Sequence, residues 1–357
     1  MAEAPLLLHV YPAFAVGGSQ TRFAAIANHF GRRWRHAIIA MDGNIACRER
    51  LDPGLDVTFP EVDVRKGDTL GNIRRFRHFL TVTRPHALIT SNWGSIEWAM
   101  ANQATGIRHV HIEDGFGPEE RGTQLPRRVL IRRLFLRRRT VVLPSQTLRR
   151  IATEIWKLDP ARVLYVPNGI DLSRFTPRTI PREGVPVIGT VAALRPEKNL
   201  QRLLEAFAKL AANRPLRLII VGDGPQRGEL EALAAKLGIT DATTFAGHQR
   251  DPADFFRDFD VFALSSDTEQ MPISLLEAMA AGLPVAATDV GDVQAMLSAE
   301  NTPMVGPLAA NALAAGLRAL LDDPEQALRI GAANRTKAER DYADTVMFAA
   351  YARLFDG

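Results

Sequence analysis

Two glutamates eight positions apart, Glu269 and Glu277, are the residues of this sequence best placed to do chemistry together. Glu269 lies in a loop after an apolar run, and Glu277 lies two turns into the helix that follows. Pro272 suits the first helical turn, where its missing N–H costs nothing. The free amides around Gln270–Ser274 then form an anion site at the helix amino end, suited to a diphosphate. One carboxylate can address a group beyond the phosphates while the other reaches hydroxyls on the nucleoside side.

These residues must be positioned by strands and helices that alternate along the chain. The apolar runs typical of buried strands in a first sheet are Leu6–Tyr11, His36–Met41, Ala87–Ser91, His109–Ile112, Val141–Pro144 and Leu164–Pro167. Those of a second sheet are Val187–Ala192, Leu216–Val221, Thr243–Ala246, Val261–Ser265 and Val285–Thr288. Helical periodicity is found over Asn199–Ala212, Arg227–Leu237, Ile273–Ala281 and Ala309–Leu321. The alternation predicts an α/β protein with doubly wound, Rossmann-like parallel sheets.

A turn-rich stretch predicts the boundary between two domains. It contains Pro167, Asn168, Gly169, Pro177, Pro181, Gly184 and Pro186, which disrupt helices. We expect a first domain over residues 1–167, a second over 168–339, and a carboxyl-terminal helix at about 340–357 that packs back on the first. Open α/β sheets bind ligands at the carboxyl ends of their strands, so we expect the two sheets to face an interdomain cleft.

Composition restricts the classes of protein to which this chain can belong. The length of 357 residues suits two domains, and 46% hydrophobic with 24% charged residues is typical of a soluble globular protein. No segment reaches the roughly 18 uninterrupted apolar residues that a membrane helix needs. Cys47 is the single cysteine, which excludes an internal disulfide framework and favours a reducing cytoplasm.

The segment around the two glutamates resembles a family signature. Glu269 and Glu277, followed by Ala-x-Ala-x-Gly-x-Pro-Val, resemble the motif of retaining glycosyltransferases of family 4, which have the GT-B fold. Further segments resemble that family in the same order along the chain: Val16–Gln20, Val166–Asp171, Arg195–Lys198, Val221–Pro225 and Phe245–Gly247. The resemblance is strong over roughly 165–295 and looser before it.

The resemblance implies roles for the matched residues. Glu277 matches the carboxylate that binds the donor ribose, and Glu269 matches the acidic residue beside the transferred sugar. Lys198 matches the lysine that neutralises the diphosphate leaving group. The other positions expected to bind the donor are Gly17, Gly18, Arg195, Gln270, Met271, Pro272, Ile273 and Ser274.

Three positions depart from the family pattern. Gln270 replaces a glycine that commonly follows the first glutamate. The basic residue usually found shortly before the lysine aligns with Ala193, so Arg195 is either its replacement or a surface arginine. The family's sugar-facing histidine aligns with Asp114, and His111 lies nearby on the same strand. We therefore expect Asp114 and His111, with Glu269, in the catalytic site, the alternative being a polar strand end.

The resemblance implies transfer of a sugar from a UDP- or GDP-linked donor to a glycan or lipid-linked acceptor, in cell-surface polysaccharide or glycolipid synthesis. No metal is expected, because Asp260 of the Asp-x-Asp sequence at 258–260 immediately precedes a strand, as in the family's metal-free pattern. A nucleotide-sugar epimerase and a non-catalytic nucleotide-sugar-binding protein remain alternatives. An NAD-linked oxidoreductase is disfavoured because neither domain has a Gly-x-Gly-x-x-Gly sequence.

A cluster of seven arginines lies within the segment Arg127–Arg139, which we call the arginine-rich segment. Its interleaved apolar residues have helical spacing, so we expect an apolar stripe that packs on the first domain while the arginines face outward. The functional interpretation is contact with an anionic membrane surface or a lipid-linked acceptor, with the protein peripheral on the inner membrane face. The alternative is an ordinary solvated helix face. No aromatic platform accompanies the charge, which argues against nucleic acid.

Overall fold

The computed structural model describes residues 3–120, 123–180 and 182–357. The chain divides into two compact units. The first unit comprises Met1–Pro167 with Met347–Gly357, and the second comprises Asn168–Val346. Pro181, one of the turn residues used to predict the boundary, lies outside the described residues.

The first unit is built on a parallel sheet of seven strands. In chain order the strands are β1 (Leu6–Tyr11), β2 (Arg35–Ala40), β3 (Val57–Thr58), β4 (Ala87–Ser91), β5 (Arg108–Ile112), β6 (Thr140–Leu143) and β7 (Val163–Tyr165). They lie side by side in the order β3-β2-β1-β4-β5-β6-β7. The central strands are buried on both faces, as their continuous apolar sequences require.

Helices of the first unit connect these strands. They are α1 (Gly18–Phe30), α2 (Thr69–Thr83), α3 (Ile96–Ala101), α4 (Pro126–Leu136) and α5 (Gln146–Arg150). Asp68 caps α2 by accepting from the Gly71 amide, and Ser145 caps α5 by accepting from the Leu148 amide. Such caps satisfy amides that the first turn leaves without partners.

The second unit repeats the architecture with six parallel strands. These are β8 (Val187–Val191), β9 (Arg217–Val221), β10 (Thr243–Gly247), β11 (Val261–Leu264), β12 (Val285–Thr288) and β13 (Val305–Gly306), in the order β10-β9-β8-β11-β12-β13. Its helices are α6 (Leu200–Ala211), α7 (Arg227–Lys236), α8 (Ala253–Phe256), α9 (Ile273–Ala280), α10 (Val293–Met296), α11 (Ala310–Asp322) and α12 (Pro324–Asp341). The α/β class with two doubly wound parallel sheets is confirmed.

The last helix, α13 (Asp344–Asp356), supplies side chains to the core of the first unit. The returning segment was expected from about residue 340, but residues up to Val346 belong to the second unit. Tyr342 is buried in the core of that unit, and the Ile170 amide donates to the Tyr342 carbonyl at 2.8 Å. These contacts hold the chain in the second unit for several residues longer than predicted.

Two edge strands, β3 and β13, have no counterpart among the predicted strands. Each has only two residues, too few to produce an apolar run in the sequence. Within the described ranges, no helix combines the length and apolar character needed to cross a bilayer.

Candidate active site

The order of strands reverses between β8 and β11, so the loops after these strands diverge at the carboxyl edge of the second sheet. Open α/β sheets bind ligands at such a point. Lys198 follows β8 and Glu269 follows β11. A small cavity is lined by both residues together with Ser274 of α9. The fold therefore brings together two predicted donor-site residues that are 71 positions apart in the sequence.

Lys198 and Glu269 form an ion pair in this cavity. Lys198 Nζ lies 2.5 Å from Glu269 Oε1, and the two side chains are 25% and 10% exposed. The Ser266 hydroxyl donates to the same glutamate oxygen at 2.7 Å. Among the residues that the structure describes, Glu269 Oε2 has no hydrogen-bond partner. One oxygen is thus anchored by the protein, and the other is available to a ligand.

Hydrogen bonds between the loops fix this geometry. The Ser265 hydroxyl donates to the Lys198 carbonyl at 2.9 Å, and the Thr288 hydroxyl donates to the Ser266 carbonyl at 2.6 Å. The Arg202 guanidinium donates to the Ser265 carbonyl at 2.6 Å. Roles for Arg202, Ser266 and Thr288 in this site were not predicted from the sequence. Their types carry little signal, because hydroxyls and helix arginines have many structural uses.

Two glycines let other backbone segments approach the site loops. Gly222 has a φ of 139°, and a Cβ there would overlap the Ala192 carbonyl oxygen in the loop after β8. Gly291 has a φ of 56°, and a Cβ there would overlap the Glu269 carbonyl oxygen. A side chain at either position would strain the backbone and displace a site loop.

Helix α9 has an uncapped amino end beside this cavity. Pro272 occupies the N-cap position in an extended conformation, one residue earlier than predicted, and makes no side-chain cap. The first turn of this fully described helix carries no acidic residue. The amides of Ile273 and Ser274 are therefore suited to an anionic ligand, as expected for a diphosphate.

The loop that leads into α9 is held from two directions. The buried Asn168 side chain donates to the Met271 carbonyl at 3.2 Å. The Asp292 amide donates to the Gln270 carbonyl at 3.3 Å. Asn168 was noted in the sequence only as part of the family resemblance and the predicted boundary, whereas the structure gives it a role in positioning the donor-site loop.

Glu277 lies one turn into α9, not two as predicted, and is 9% exposed. Burial raises the pKa of its carboxyl to about 7, an effect that Arg174 opposes and Asp251 reinforces. Within the described part of the chain, no hydrogen bond reaches this carboxylate. Burying an unpaired carboxylate costs free energy of folding. Such groups are common at ligand sites, and ribose hydroxyls would supply the missing donors.

Arg195 is exposed at the start of the short turn that carries Lys198. Across residues 3–120, 123–180 and 182–357, its guanidinium makes no ion pair or side-chain hydrogen bond. No contact directs it toward the cavity. Its role in binding a diphosphate therefore stays a prediction.

In the first unit, Gly17 and Gly18 form the amino end of α1. Gly17 is the N-cap in ordinary extended backbone, without a side-chain cap, and no acidic residue lies in the first turn. A Cβ on Gly17 would meet only the far end of the flexible Gln20 side chain. Local packing therefore gives no strong reason for glycine here, which is consistent with the expected close approach of a ligand.

Asp114, directly after β5, is bound by a residue that sequence analysis did not identify. Arg22 of α1 contacts both carboxylate oxygens, at 2.7 Å and 3.0 Å. The Arg22 and Asp114 side chains are 6% and 19% exposed. The Asp114 amide also donates to Asn92 Oδ1 at 2.8 Å. Asn92 has a φ of 57°, an unfavourable conformation that is more frequent at functional sites. Asp114 is an anchored carboxylate with limited access to solvent.

The prediction that His111 is catalytic is wrong, because its side chain is completely buried. Its Nδ1 lies 2.8 Å from the Thr90 hydroxyl on the neighbouring strand, and its Nε2 lies 3.5 Å from Glu113. Both ring nitrogens are therefore used inside the first unit, and His111 cannot reach a substrate.

The prediction for the arginine-rich segment is wrong in part. Arg132 is buried, donates to both oxygens of buried Glu120 at 3.0 Å, and lies 3.3 Å from Glu113. Its guanidinium lies 4.8 Å from the Trp156 ring and 5.0 Å from the Trp93 ring. Such cation–aromatic contacts add to the ion pairs.

Two apolar residues of the same helix, Leu130 and Leu134, are instead 54% and 52% exposed. Buried acids outside α4 hold an arginine inside, so the leucines on the other side of the helix face outward. The expected apolar-in, arginine-out arrangement therefore fails at these positions.

Asp260 has a structural use in the second unit. Its Oδ2 accepts from the Val187 amide at 2.7 Å, where β8 begins, and lies 3.3 Å from Arg182. Its Oδ1 pairs with Arg178. These contacts lie at the amino ends of the strands, opposite the edge that carries Lys198 and Glu269.

Comparison with known proteins matches both units to family models. "Glycosyl transferases group 1" matches residues 174–337, and "Glycosyltransferase Family 4" matches residues 16–174. A 2-deoxystreptamine glucosyltransferase from Streptomyces kanamyceticus is 36% identical over 179 residues, which are 48% of this chain and 45% of that protein. A D-inositol 3-phosphate glycosyltransferase from Stackebrandtia nassauensis is 30% identical over 226 residues, 57% of this chain and 50% of that protein. The chain thus spans about half the length of these curated relatives.

Solved structures share the whole fold. The structure of HepE from Anabaena in complex with UDP superposes on this chain with a TM-score of 0.82 at 17% identity. The superposition covers 99% of each of the two chains. Two family models in succession across residues 16–337, on two doubly wound parallel sheets, show that this chain belongs to the GT-B glycosyltransferases resembling family 4.

Proposed function

We propose that this protein is a retaining glycosyltransferase that uses a UDP- or GDP-linked sugar as its donor. The observation that carries the proposal is the group of donor-site residues at the switch point of the second sheet. There the Lys198–Glu269 pair and Ser274, at the uncapped end of α9, line one cavity. Glu277, whose carboxylate is buried, lies one turn further along the same helix. This set offers a cation and amides to a diphosphate, and carboxylates to the hydroxyls of a sugar and a ribose.

In the proposed reaction, the donor diphosphate replaces Glu269 as the partner of Lys198. Glu269 remains anchored by Ser266 and turns its free oxygen to the sugar. The bond from the anomeric carbon to the phosphate oxygen breaks, and the acceptor oxygen bonds to that carbon on the same face. The acceptor proton passes to the departing phosphate. Lys198 and the α9 amides stabilise the negative charge that develops on the diphosphate, without a metal ion.

The acceptor is proposed to be a glycan or a lipid-linked glycan, in cell-surface polysaccharide or glycolipid synthesis at the inner face of a membrane. Two features of the first unit support an acceptor of this kind. Asp114 is a carboxylate suited to sugar hydroxyls, and the outer face of α4 carries arginines and leucines together.

The proposal is tested by a thermal-shift series with UDP, GDP, their sugars and 2′-deoxy-UDP. We expect one nucleotide to raise the melting temperature of the protein. If that nucleotide is UDP, 2′-deoxy-UDP should raise the melting temperature less, because it lacks the 2′-hydroxyl. Hydroxyl donors favour the ionised form of Glu277, so affinity should rise as pH increases through about 7, the pKa of Glu277 before ligand binds. Glu277→Gln should bind more weakly, without this pH dependence. Failure of every nucleotide to stabilise the wild-type protein would refute the donor site.

Glu277→Gln should also change the stability of the protein in the absence of nucleotide. The folded-state pKa of Glu277 is raised to about 7, above its unfolded value near 4.3. The contribution of this carboxyl group to the free energy of unfolding is therefore fully present at low pH and is lost as pH rises toward 7. We expect Glu277→Gln to be more stable than wild type above pH 7, by up to about 3 kcal/mol, and equal to it near pH 4. Equal stability at both pH values would contradict the unpaired carboxylate.

A double substitution tests the role of Asp114. Asp114→Asn removes the carboxylate charge that pairs with the buried Arg22 and should destabilise the protein by roughly 3 kcal/mol. Arg22→Met together with Asp114→Asn removes both charges and should recover most of that stability. If Asp114 binds a substrate hydroxyl, the stable double variant should still transfer sugar at least tenfold more slowly than wild type. Recovery of activity together with stability would make the pair purely structural.

A further inference from the structure

The outer face of α4 and the turn after it combine exposed leucines with arginines for which the described residues supply no acidic partner. Leu130 and Leu134 are 54% and 52% exposed, and Leu125, just before the helix, is 39% exposed. The four outward arginines are Arg127, Arg133, Arg137 and Arg138. No residue between Glu120 and Glu154 is acidic. Within the described residues, none of the four arginines forms an ion pair.

Helix geometry places these side chains in rows. At about 100° per residue, Leu130 and Leu134 lie next to each other along the axis. Arg127 flanks the leucines on one side and Arg133 flanks them on the other, while the exposed Arg137 and Arg138 follow in the turn after the helix. Single exposed leucines are ordinary on protein surfaces. Neighbouring exposed leucines with arginines on both sides are typical of helices that lie in the plane of an anionic bilayer interface.

The inner side of the helix keeps this face fixed. Arg132 is held by two buried glutamates, and Arg128 lies 3.1 Å from Glu120 and 4.9 Å from the Trp93 ring. These two arginines are neutralised inside the first unit and cannot contribute to an external partner. The exposed positive charge of the arginine-rich segment therefore comes mainly from the four outward arginines, since the part-buried Arg139 donates to the Gln103 side chain.

We propose that the leucine–arginine face of α4 docks on an anionic lipid bilayer. Leu130 and Leu134 enter the boundary between headgroups and acyl chains, while the outward arginines contact lipid phosphates. The occupant follows from charge complementarity, because the leucines are accompanied by four exposed arginines that form no ion pair within the described residues. Docking on a bilayer would bring the protein to the proposed lipid-linked acceptor. That biological role rests on the proposed function, whereas the binding to lipid does not.

Vesicle sedimentation tests the proposal on the full chain. We expect binding to phosphatidylcholine vesicles that contain 30% phosphatidylglycerol, and much weaker binding to pure phosphatidylcholine, with affinity falling as salt is added. Arg127→Gln/Arg133→Gln/Arg137→Gln should weaken binding on the order of a hundredfold, from roughly fivefold per arginine. Leu130→Ser/Leu134→Ser should weaken it by roughly tenfold.

Helix α2 of the same unit offers matched controls. Arg74 and Arg77 are exposed there, and Leu70 and Val82 are 72% and 70% exposed. Arg74→Gln/Arg77→Gln and Leu70→Ser/Val82→Ser should bind vesicles as wild type does. An environment-sensitive dye on Leu130→Cys should shift to the blue with anionic vesicles, whereas the dye on Leu70→Cys should not; the native Cys47 is buried.

Three outcomes would overturn the inference. They are equal binding to both vesicle types, unchanged binding of the triple arginine variant, and retention on heparin with no binding to vesicles. Stabilisation by nucleotide, measured in parallel on every variant, reports on the proposed donor site and not on the α4 face. Lost vesicle binding with intact nucleotide stabilisation supports the α4 face. Absent nucleotide stabilisation in the wild type would instead count against the proposed function.

Discussion

Glu269→Gln is expected to lower the rate of sugar transfer by about 10²–10³-fold with little change in nucleotide affinity. The amide keeps an oxygen that can accept from Ser266, but it loses the negative charge beside the reacting sugar. It also releases Lys198, which in the wild type is held at 2.5 Å from the carboxylate. Because Lys198 no longer has to leave a carboxylate partner, nucleoside diphosphate should bind at least as tightly as in the wild type.

The measurement is the steady-state release of nucleoside diphosphate from the donor that gives the largest thermal stabilisation. It is paired with a calorimetric titration of the corresponding diphosphate. Glu300→Gln, an exposed glutamate elsewhere in the second unit, serves as the matched control and should leave both quantities unchanged. A turnover within threefold of wild type for Glu269→Gln would remove this residue from the reaction.

Arg132→Met is expected to lower the free energy of unfolding of the first unit by about 3–5 kcal/mol. Glu113 and Glu120 would both remain buried without their shared cation. Burial by itself raises the pKa of Glu120, and hydrogen bonding with Arg132 is the largest of the effects that keep it below its ordinary value. The variant would therefore have to desolvate charge or take up a proton, and either process costs stability.

Tryptophan fluorescence during urea unfolding is the appropriate measurement. The chain has four tryptophans, Trp34, Trp93, Trp98 and Trp156, and all of them lie in the first unit. The signal therefore reports that unit separately from the second. Arg133→Met, at the exposed neighbouring position, should change stability by less than about 0.5 kcal/mol. Arg132→Met combined with Glu113→Gln and Glu120→Gln should recover a large part of the loss. A loss below 1 kcal/mol for Arg132→Met would contradict this ion-pair network.

The segment that carries Glu269 and Glu277 was largely predictable because its information is local. Residues 261–288 are consecutive, and together they form strand, loop, helix and strand. The spacing of Glu269 and Glu277 and the position of Pro272 follow from that run of elements to within about one helical turn. Most of the strands were predictable for a similar reason, since a strand buried on both faces needs a continuous apolar sequence. The two-residue edge strands carry no such pattern.

Contacts between distant segments could not be predicted in this way. The partner of Asp114 is Arg22, 92 positions earlier, and the acids that hold Arg132 lie on a different loop. Helical periodicity treats an arginine as a surface residue, and nothing in the local sequence indicates that Glu113 and Glu120 are buried nearby. His111 was misassigned for the same reason, because its burial depends on pairing with the strand that carries Thr90.

The sequence by itself determined the class of fold, the order of strands and helices, and the chemical types present at the donor site. Those properties depend on periodicity and on short spacings, which a linear sequence contains directly. Only the tertiary structure decided which charges are neutralised and which are available. It joined Lys198 to Glu269, buried Glu277 without a hydrogen-bond partner among the described residues, and turned Arg132 inward and Leu130 outward. The electrostatic free energy of a side chain depends on its burial and its nearest charges, and both are set by segments remote in the chain.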